Sequence, residues 1–362
     1  MIHLLSSSLH KEELSLPFRL AEDFLQANQV VAVLTGGTES RFVELVEEGL
    51  IDLKKPVYLM VSGHSNSLAA SLEILSYIRQ HDGVGKVMTS AEDTELASDG
   101  PSRYLVGISS VSVLANDKRL RLGVVGKPSD WLIASQVDYQ QVLKNMNIEL
   151  VDIPISEVTS LGEVDPGMTG AEAIYRRLKE IVQHYDLQGV TLRCFDLLTT
   201  VKNTGCIALS RLNDEGIPAA CEGDIPTLLT MMVCKRLTGE PCFQVNPARI
   251  QPDGQMLFAH CTLPLRMTDK HEYTTHFESG IGVAIHGELP PGDYTLVKLS
   301  GDLTRLLAED VTLTRCQYEQ NLCRTQVWIQ STPEVANYFL TDPIANHHIL
   351  IRGHHAAKFT HK

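Results

Sequence analysis

The sequence predicts an α/β protein in which two units of parallel sheet are followed by an antiparallel β domain. From about residue 30 to residue 262, short β-branched runs alternate with helical stretches, which is typical of a parallel sheet covered by helices. After residue 264 the runs are short and separated by turns such as ELPPGD, the pattern of an antiparallel sheet or barrel. We therefore expect two Rossmann-like units and a C-terminal antiparallel β domain.

These changes of pattern divide the chain into three expected domains. An N-terminal α/β domain covers residues 1–117, a central α/β domain covers 118–265, and a mainly antiparallel β domain covers 266–362. A chain of 362 residues is too long for one ordinary domain and suits two or three.

Composition and charge exclude several classes of protein. Apolar residues make up 43% of the chain and charged residues 21%, as in soluble globular proteins. The net charge of -13 argues against a nucleic-acid or anionic-membrane partner, because such binding needs a basic face. No run approaches the roughly 18 apolar residues that span a bilayer, and no secretion signal opens the sequence, so we expect a cytoplasmic protein.

The eight cysteines all lie beyond residue 190 and show no C-x-x-C spacing. In a large chain without a secretion signal, this pattern favours buried free thiols over disulfides or a zinc cluster.

Two glycine- and hydroxyl-rich turns, TGGTE (35–39) and SGHSNS (62–67), each follow an expected strand and precede a helix. Their backbone N–H groups could bind a phosphate or a hydroxyl-rich ligand. Tight turns with helix caps explain the same residues. Neither turn has the glycine spacing of a dinucleotide-binding loop, and GVVGKPS (123–129) lacks that of a Walker A loop.

The stretch from residue 217 to 264 carries the densest set of chemically capable residues. Three expected strands end at Glu222, Asn246 and His260, and ligands of open α/β sheets bind beyond such strand ends. A carboxylate, an amide oxygen and an imidazole together can bind a divalent metal of the Mn, Fe or Co type. The alternative is that Glu222 and Asp224 cap the helix that follows them.

Three motifs, ACEGDIPTLLTM (220–231), AHCTLP (259–264) and IANHHILIRGH (344–354), resemble the family of L-fucose isomerase and L-arabinose isomerase. TGGTE, SGHSNSLAASLE and residues 193–224 add to the likeness, which runs over most of this shorter chain. The resemblance implies a fucose isomerase-like fold, a small-molecule carbohydrate substrate and a divalent metal, usually manganese. It also implies a homotrimer or homohexamer in which the N-terminal domain of one subunit covers the site of its neighbour.

The resemblance also assigns roles to single residues. Glu222 takes the place of the first metal ligand, His347 that of the last and His260 that of an intermediate ligand, with His348 as the alternative to His347. The family's second carboxylate falls at position 246, where this chain has Asn246.

The implied reaction interconverts an aldose and a ketose through an enediol, with two carboxylates moving protons between C1 and C2. Glu222 is the expected base as well as a ligand, while Asn246 can bind a metal or substrate but cannot transfer a proton near neutral pH. Asp224 and Glu278 are candidate proton carriers, and the alternatives are a helix cap and a strand-edge charge. The implied enzyme is therefore an intramolecular oxidoreductase.

Four side chains are candidates for substrate binding: Trp131, Glu278, His348 and Arg324. Trp131, in the turn GKPSDWL, could contact substrate, and by the resemblance could do so in a neighbouring subunit. Arg324 could bind a substrate anion or form a structural salt bridge, and Glu278 could bind substrate directly.

Two other functions fit the same residues. The protein could be a non-catalytic sugar-binding or regulatory homologue that lost turnover with the second carboxylate. It could also be an enolising epimerase or lyase on a related ketose, sharing the metal and the base.

Overall fold

The computed structural model describes residues 2–7, 15–96 and 118–360. It contains two four-stranded parallel sheets, a closed six-stranded antiparallel barrel and a two-stranded hairpin. The predicted fold class, parallel α/β units followed by an antiparallel β part, is therefore confirmed.

The first parallel sheet has the strand order β1-β2-β3-β4, with helices in the connections. Its elements are β1 (Ile2–Leu5), α1 (Glu22–Ala27), β2 (Gln29–Val33), α2 (Glu39–Glu47), β3 (Val57–Val61), α3 (Ser67–Gln80) and β4 (Gly85–Met88).

The second parallel sheet has the order β6-β5-β7-β8. Its elements are β5 (Leu120–Val125), α4 (Tyr139–Met146), β6 (Ile148–Ile153), α5 (Ser156–Thr159), α6 (Met168–His184), β7 (Gly189–Leu192), α7 (Asp196–Thr200), α8 (Cys206–Asp214), β8 (Ala219–Cys221) and α9 (Ile225–Thr238).

The barrel closes in the order β10-β15-β14-β13-β16-β9, with all neighbours antiparallel. Its strands are β9 (Phe243–Ile250), β10 (Gln255–His260), β13 (Gly292–Leu299), β14 (Leu306–Gln317), β15 (Thr325–Gln330) and β16 (His348–Arg352). Strands β11 (Lys270–Thr274) and β12 (Ala284–Glu288) form the hairpin, and the remaining elements are a 3-10 turn (Leu265–Met267), α10 (Pro333–Thr341) and α11 (Ala356–Thr360).

Antiparallel pairing starts about 20 residues earlier than the sequence pattern indicated. Strands β9 and β10 were expected to continue the second parallel sheet, but they pair with each other and close the barrel. The reason lies in the four-residue connection QPDG (251–254), because a link this short joins antiparallel neighbours whereas parallel strands need a crossover. The domain boundaries at 117/118 and 265/266 stay a prediction, and residues 97–117 lie outside the described part of the chain.

Two helices, α3 and α9, lie between the parallel sheets and the barrel. Helix α3 packs in one apolar core with the first sheet and with barrel residues such as Phe243 and Leu350. Helix α9 packs in a second core with β5 and barrel residues such as Val297 and Ile349. Both helices are buried on almost all sides, as expected for helices that are apolar around their circumference.

Within residues 2–7, 15–96 and 118–360, the structure has no helix with the length and apolarity that crossing a bilayer would require.

Candidate active site

The turn after β8 positions Glu222. Glu222 has φ +64° and Gly223 has φ +71°, so the chain reverses sharply here through two left-handed residues. A Cβ atom at Gly223 would lie 2.5 Å from the carbonyl oxygen of Lys127, so only glycine fits. The backbone of Glu222 accepts a hydrogen bond from Ser129 N at 3.0 Å. A non-glycine residue held at positive φ is strained, and such strain occurs often at functional sites.

The turn before β16 positions His347, and helix α3 holds this turn. Glu73 Oε2 accepts a hydrogen bond from Asn346 N at 3.1 Å, and Ser76 Oγ accepts one from Ala345 N at 2.7 Å. The Ser76 hydroxyl also donates to Pro343 O at 2.9 Å. The first parallel sheet and the barrel therefore fix His347 together.

His347 is fully buried between two carboxylates of the EGD motif. Its Nδ1 lies 2.8 Å from Asp224 Oδ2, and its Nε2 lies 3.4 Å from Glu222 Oε1. The second contact lacks hydrogen-bond geometry, and Nε2 has no hydrogen-bond partner. Burial lowers the pKa of His347, but Glu222 and Asp224 outweigh it and raise the pKa to about 10.

Asp224 lies behind His347, where it orients the ring. Its other oxygen, Oδ1, accepts a hydrogen bond from Thr227 N at 2.7 Å, so it also caps α9 as the alternative interpretation expected. The ammonium of Lys298 lies 3.9 Å from Asp224 Oδ2, and both side chains are fully buried. Burial raises the pKa of Asp224, but Lys298 and His347 lower it to well below its usual range. Asp224 is therefore an ionised group that contacts His347, and it does not line the cavity described below.

Glu222, His260 and His347 form a cluster whose ligand atoms all lie within 4.8 Å of one another. His260 is the last residue of β10, and its Nδ1 lies 2.9 Å from Thr262 Oγ1. Burial, followed by His347, lowers the pKa of His260 to about 4, so its imidazole is neutral near pH 7.

Asn246 brings an amide oxygen to the same place. It lies within β9, opposite Ala259 of β10, and lines a cavity together with Glu222 and His260. Its Oδ1 is buried and has no hydrogen-bond partner, and the same is true of Nε2 of His347. Buried polar atoms normally have partners, so each of these two atoms is available to bind a ligand. A carboxylate, two imidazoles and an amide oxygen fit a divalent metal ion.

The cluster opens into two adjoining pockets, together called the cavity, which share Asn66, Phe195, Glu222, Asn246 and Glu278. The described lining residues are Ser7, Gly36, Gly37, Glu39, Asn66, Ala69, Ala70, Trp131, Phe195, Cys206, Cys221, Glu222, Asn246, His260, Cys261, His276, Glu278, Cys323 and Asn346. All eight cysteines of the chain are free thiols as expected; seven are buried, and Cys316 is partly exposed.

Trp131 lines the cavity and contacts Glu222 of the cluster directly. Its Nε1 donates a hydrogen bond to Glu222 Oε2 at 2.5 Å, and its ring packs edge-on against Phe195 with centroids 4.9 Å apart. Burial raises the pKa of Glu222, but His347 and this hydrogen bond lower it to a value below normal.

The two turns TGGTE and SGHSN also line the cavity of their own chain. The contact with a neighbouring subunit that the resemblance implied stays a prediction. The turns pack so closely that a Cβ at Gly36 would lie 2.9 Å from Asn66 Cβ. Asn66 Nδ2 donates to Glu278 Oε1 at 2.7 Å, which places Glu278 in the cavity. Burial and then Glu222 raise the pKa of Glu278 to about 8.

Glu39 is a cavity residue that the sequence analysis did not select. It is the first residue of α2, its exposed fraction is 3%, and its Oε2 has no hydrogen-bond partner. Burial, followed by repulsion from Glu73 and Glu222, raises its pKa to about 8. The signal was available, because Glu39 ends the TGGTE motif, but a glutamate in the first turn of a helix is also the usual choice for the helix dipole.

Two selected residues lie away from the cavity. His348 follows His347 in the chain, and side chains of neighbouring strand residues point in opposite directions. Its Nε2 lies 3.0 Å from Tyr338 Oη, and its Nδ1 lies 2.8 Å from Asn346 O. Arg324 donates to the carbonyl oxygens of Thr275 at 2.7 Å and Gln320 at 3.2 Å.

Comparison with known proteins gives a limited result. No family model matches this sequence. Over 90 residues the chain is 29% identical to a sulfoquinovose isomerase of Clostridium sp. (strain MSTE9). The match covers 24% of this chain and only 20% of that protein. Over about a quarter of its length, the chain is thus similar to a sugar isomerase.

Proposed function

We propose that this protein is a metal-dependent isomerase that interconverts an aldose and a ketose. The observation that carries the proposal is the cluster of Glu222, His260 and His347, whose ligand atoms lie within 4.8 Å and which opens into a cavity lined by further carboxyl groups. The partial similarity to a sugar isomerase supports the same class of reaction.

Glu222, His260, His347 and Asn246 would hold the ion, and we propose Mn²⁺. Mixed oxygen and imidazole donors suit this metal and its neighbours in the transition series. A bound divalent ion would polarise the substrate oxygens next to the carbon that loses its proton. Asp224 would keep the His347 ring in position through Nδ1, since carboxylates commonly orient metal-binding histidines in this way.

Glu222 is the base in this proposal. His347 and the Trp131 N–H keep its pKa low, so the carboxylate is ionised at neutral pH and can accept a proton. It would take the proton from C2 of the aldose, giving the enediol, and return it to C1 of the ketose. Glu278, held by Asn66, would bind a substrate hydroxyl.

The charge of the cavity favours an uncharged sugar. Glu222 is ionised there, and no lysine or arginine is among the described residues that line the cavity. A phosphate, carboxylate or sulfonate on the substrate would therefore find no lysine or arginine to pair with in that lining. We therefore propose a neutral pentose or hexose as substrate.

The test combines metal content with turnover. We expect about one Mn²⁺ per chain by elemental analysis of the protein after loading and desalting, and interconversion of at least one neutral aldose by NMR. A Glu222→Gln variant should lose turnover. Sulfoquinovose, a hexuronic acid and a hexose phosphate should react with kcat/KM at least about 100-fold lower than the best neutral sugar.

Other outcomes would favour the other functions. Stoichiometric metal and sugar binding without turnover would support the non-catalytic sugar-binding protein, because Asn246 cannot transfer a proton. Epimer formation or C–C cleavage in the same NMR assay would support the epimerase or lyase. If no metal binds in excess Mn²⁺, the proposed centre is wrong.

The assembly and location implied earlier remain part of the proposal. Light scattering of the purified protein would distinguish a homotrimer or homohexamer from a monomer, and cell fractionation would test a cytoplasmic location.

A further inference from the structure

The carboxyl group of Glu39 is unusual among the buried acidic groups around the cavity. Glu73 uses both of its oxygens, since Oε1 accepts from Ala134 N at 2.9 Å and Oε2 from Asn346 N at 3.1 Å. Glu278 accepts from Asn66, and Glu222 accepts from Trp131. In the described part of the chain, Glu39 is the one glutamate with a buried side-chain oxygen that has no hydrogen-bond partner.

This free oxygen belongs to a side chain that lines the cavity. Glu39 is 3% exposed, and the close packing of Gly36 against Asn66 fixes the turn that carries it. A buried polar atom without a partner is costly, and it persists where a ligand completes the hydrogen bond. Burial keeps this carboxyl group neutral at pH 7, because its pKa is about 8, so it can donate a proton as well as accept one.

We propose that Glu39 is the catalytic acid–base group that carries the proton between the two substrate oxygens. This inference rests on the proposed isomerase function. It would give the reaction a second proton-transferring group, the kind of group that Asn246 cannot provide.

The proton transfers balance with two carboxyl groups and no other reactant. As Glu222 takes the proton from C2, neutral Glu39 gives its proton to the carbonyl oxygen O1, and the enediol forms. The Glu39 carboxylate then takes the proton from the hydroxyl at O2, while Glu222 returns its proton to C1. The C1–C2 double bond becomes the C2–O2 carbonyl, and both carboxyl groups end in their starting states.

The experiment compares Glu39→Gln and Glu39→Asp with wild type and with Glu47→Gln. Glu47 lies on the same helix and is exposed, so it controls for the loss of one negative charge from α2. Glutamine keeps the size and hydrogen-bonding capacity of Glu39 but cannot transfer a proton, whereas aspartate can.

Three quantities are measured for each variant. They are kcat and KM with the neutral aldose that wild type converts fastest, the affinity for the corresponding alditol in the Mn²⁺-loaded protein, and the Mn²⁺ affinity. The alditol has no carbonyl group, so it reports substrate binding without reaction. The infrared band of a protonated carboxyl group at pH 7 is recorded for the metal-free protein as an independent readout.

We expect Glu39→Gln to lower kcat by about 10² to 10⁴. KM, alditol affinity and Mn²⁺ affinity should stay within about threefold of wild type, because the lost interaction belongs to the transition state. Glu39→Asp should recover part of the rate, Glu47→Gln should match wild type, and part of the protonated-carboxyl band should disappear in Glu39→Gln.

Three results would overturn the inference. A kcat for Glu39→Gln within about fivefold of wild type would leave Glu39 without a role in proton transfer. Parallel losses of alditol and Mn²⁺ affinity would make Glu39 a structural residue. If wild type converts no neutral aldose, the proposed function is wrong and this inference fails with it. If wild type and Glu39→Gln are both active, only this inference fails.

Discussion

Of the carboxyl groups in and beside the cavity, four fall into two pairs with opposite protonation. Glu222 and Asp224, the low-pKa pair, have pKa values below normal, whereas Glu39 and Glu278, the high-pKa pair, have pKa values of about 8. Burial pushes all four pKa values upward. The low-pKa pair differs because His347 contacts both of its members and Lys298 lies beside Asp224.

The comparison shows how one cavity can hold ionised and neutral carboxyl groups at the same pH. Burial, reinforced by neighbouring carboxyl groups, produces the neutral acid, and a nearby buried cation keeps a carboxylate ionised. The barrel supplies both cations, Lys298 from β13 and His347 from the residue before β16. Active sites assign acid and base roles to two carboxyl groups by separating their pKa values in this way.

The largest expected effect comes from removing His347, which contacts both members of the low-pKa pair and would bind the metal through Nε2 as a neutral imidazole. His347→Ala should lower Mn²⁺ affinity by more than the roughly 10- to 100-fold typical of losing an outer partner. His348→Ala should stay within about threefold, because His348 contacts Tyr338 and lies away from the cavity. Calorimetric Mn²⁺ titration of both variants measures the two affinities, and melting curves check that the variants fold. A larger loss in His348→Ala would mean that the adjacent histidine is the ligand.

An intermediate effect is expected when Asp224 loses its charge. Asp224→Asn keeps the cap on α9 but leaves Lys298 buried without a countercharge. We expect about 10- to 100-fold weaker Mn²⁺ binding and a free energy of unfolding lower by about 3–5 kcal/mol.

A second variant separates these two effects. Asp224→Asn combined with Lys298→Met removes both charges, so denaturant unfolding should show most of the stability restored while Mn²⁺ affinity stays low. Equal stability of the single and double variants would show that Lys298 is not the cause.

The smallest expected effect concerns the high-pKa pair and the dependence of stability on pH. The pKa of Glu39 is about 8 in the folded protein against 4.5 for the free group, so the unfolded chain releases this proton first as pH rises. Its contribution to stability is present at low pH and is lost as pH rises through about 8. From pH 5 to pH 8, Glu39→Gln should gain stability relative to wild type by about 1 kcal/mol or more.

Urea unfolding of the metal-free proteins at both pH values measures this change, and Glu47→Gln should follow wild type. Parallel pH dependence of Glu39→Gln and wild type would contradict a raised pKa for Glu39.

Much of the fold and part of the candidate site could be predicted from the sequence. Periodicity and turn residues are local, so strand and helix alternation and the capping role of Asp224 could be inferred from neighbouring residues. Glu222 and His347 were identified from sequence motifs, which can be recognised without knowledge of the three-dimensional contacts. The structure brings both close to His260 and places Asn246 in the cavity wall with Glu222. His260 and Asn246 come from the barrel rather than from the second parallel sheet.

Other features depend on contacts between distant segments. Nothing around Lys298 in the sequence indicates complete burial, which follows from packing β13 against α9. The lack of a hydrogen-bond partner for Glu39 Oε2 can be recognised only from the three-dimensional structure, in which Asn66, Trp131 and Asn346 line the same cavity. Arg324 illustrates the reverse case. It was a candidate for binding a substrate anion, but its partners include carbonyl groups 49 and 4 residues away.

The hydrogen bonds from Glu73 and Ser76 to the turn before His347 also bear on the order of folding. They join segments separated by 267 to 273 residues, and contacts of such sequence separation carry a high loop-closure cost. Strand pairing within each sheet should therefore precede the contacts that fix His347. A chain in which the first sheet has not yet docked would lack a fixed His347, so metal would bind almost exclusively to the completed molecule and would favour it by mass action.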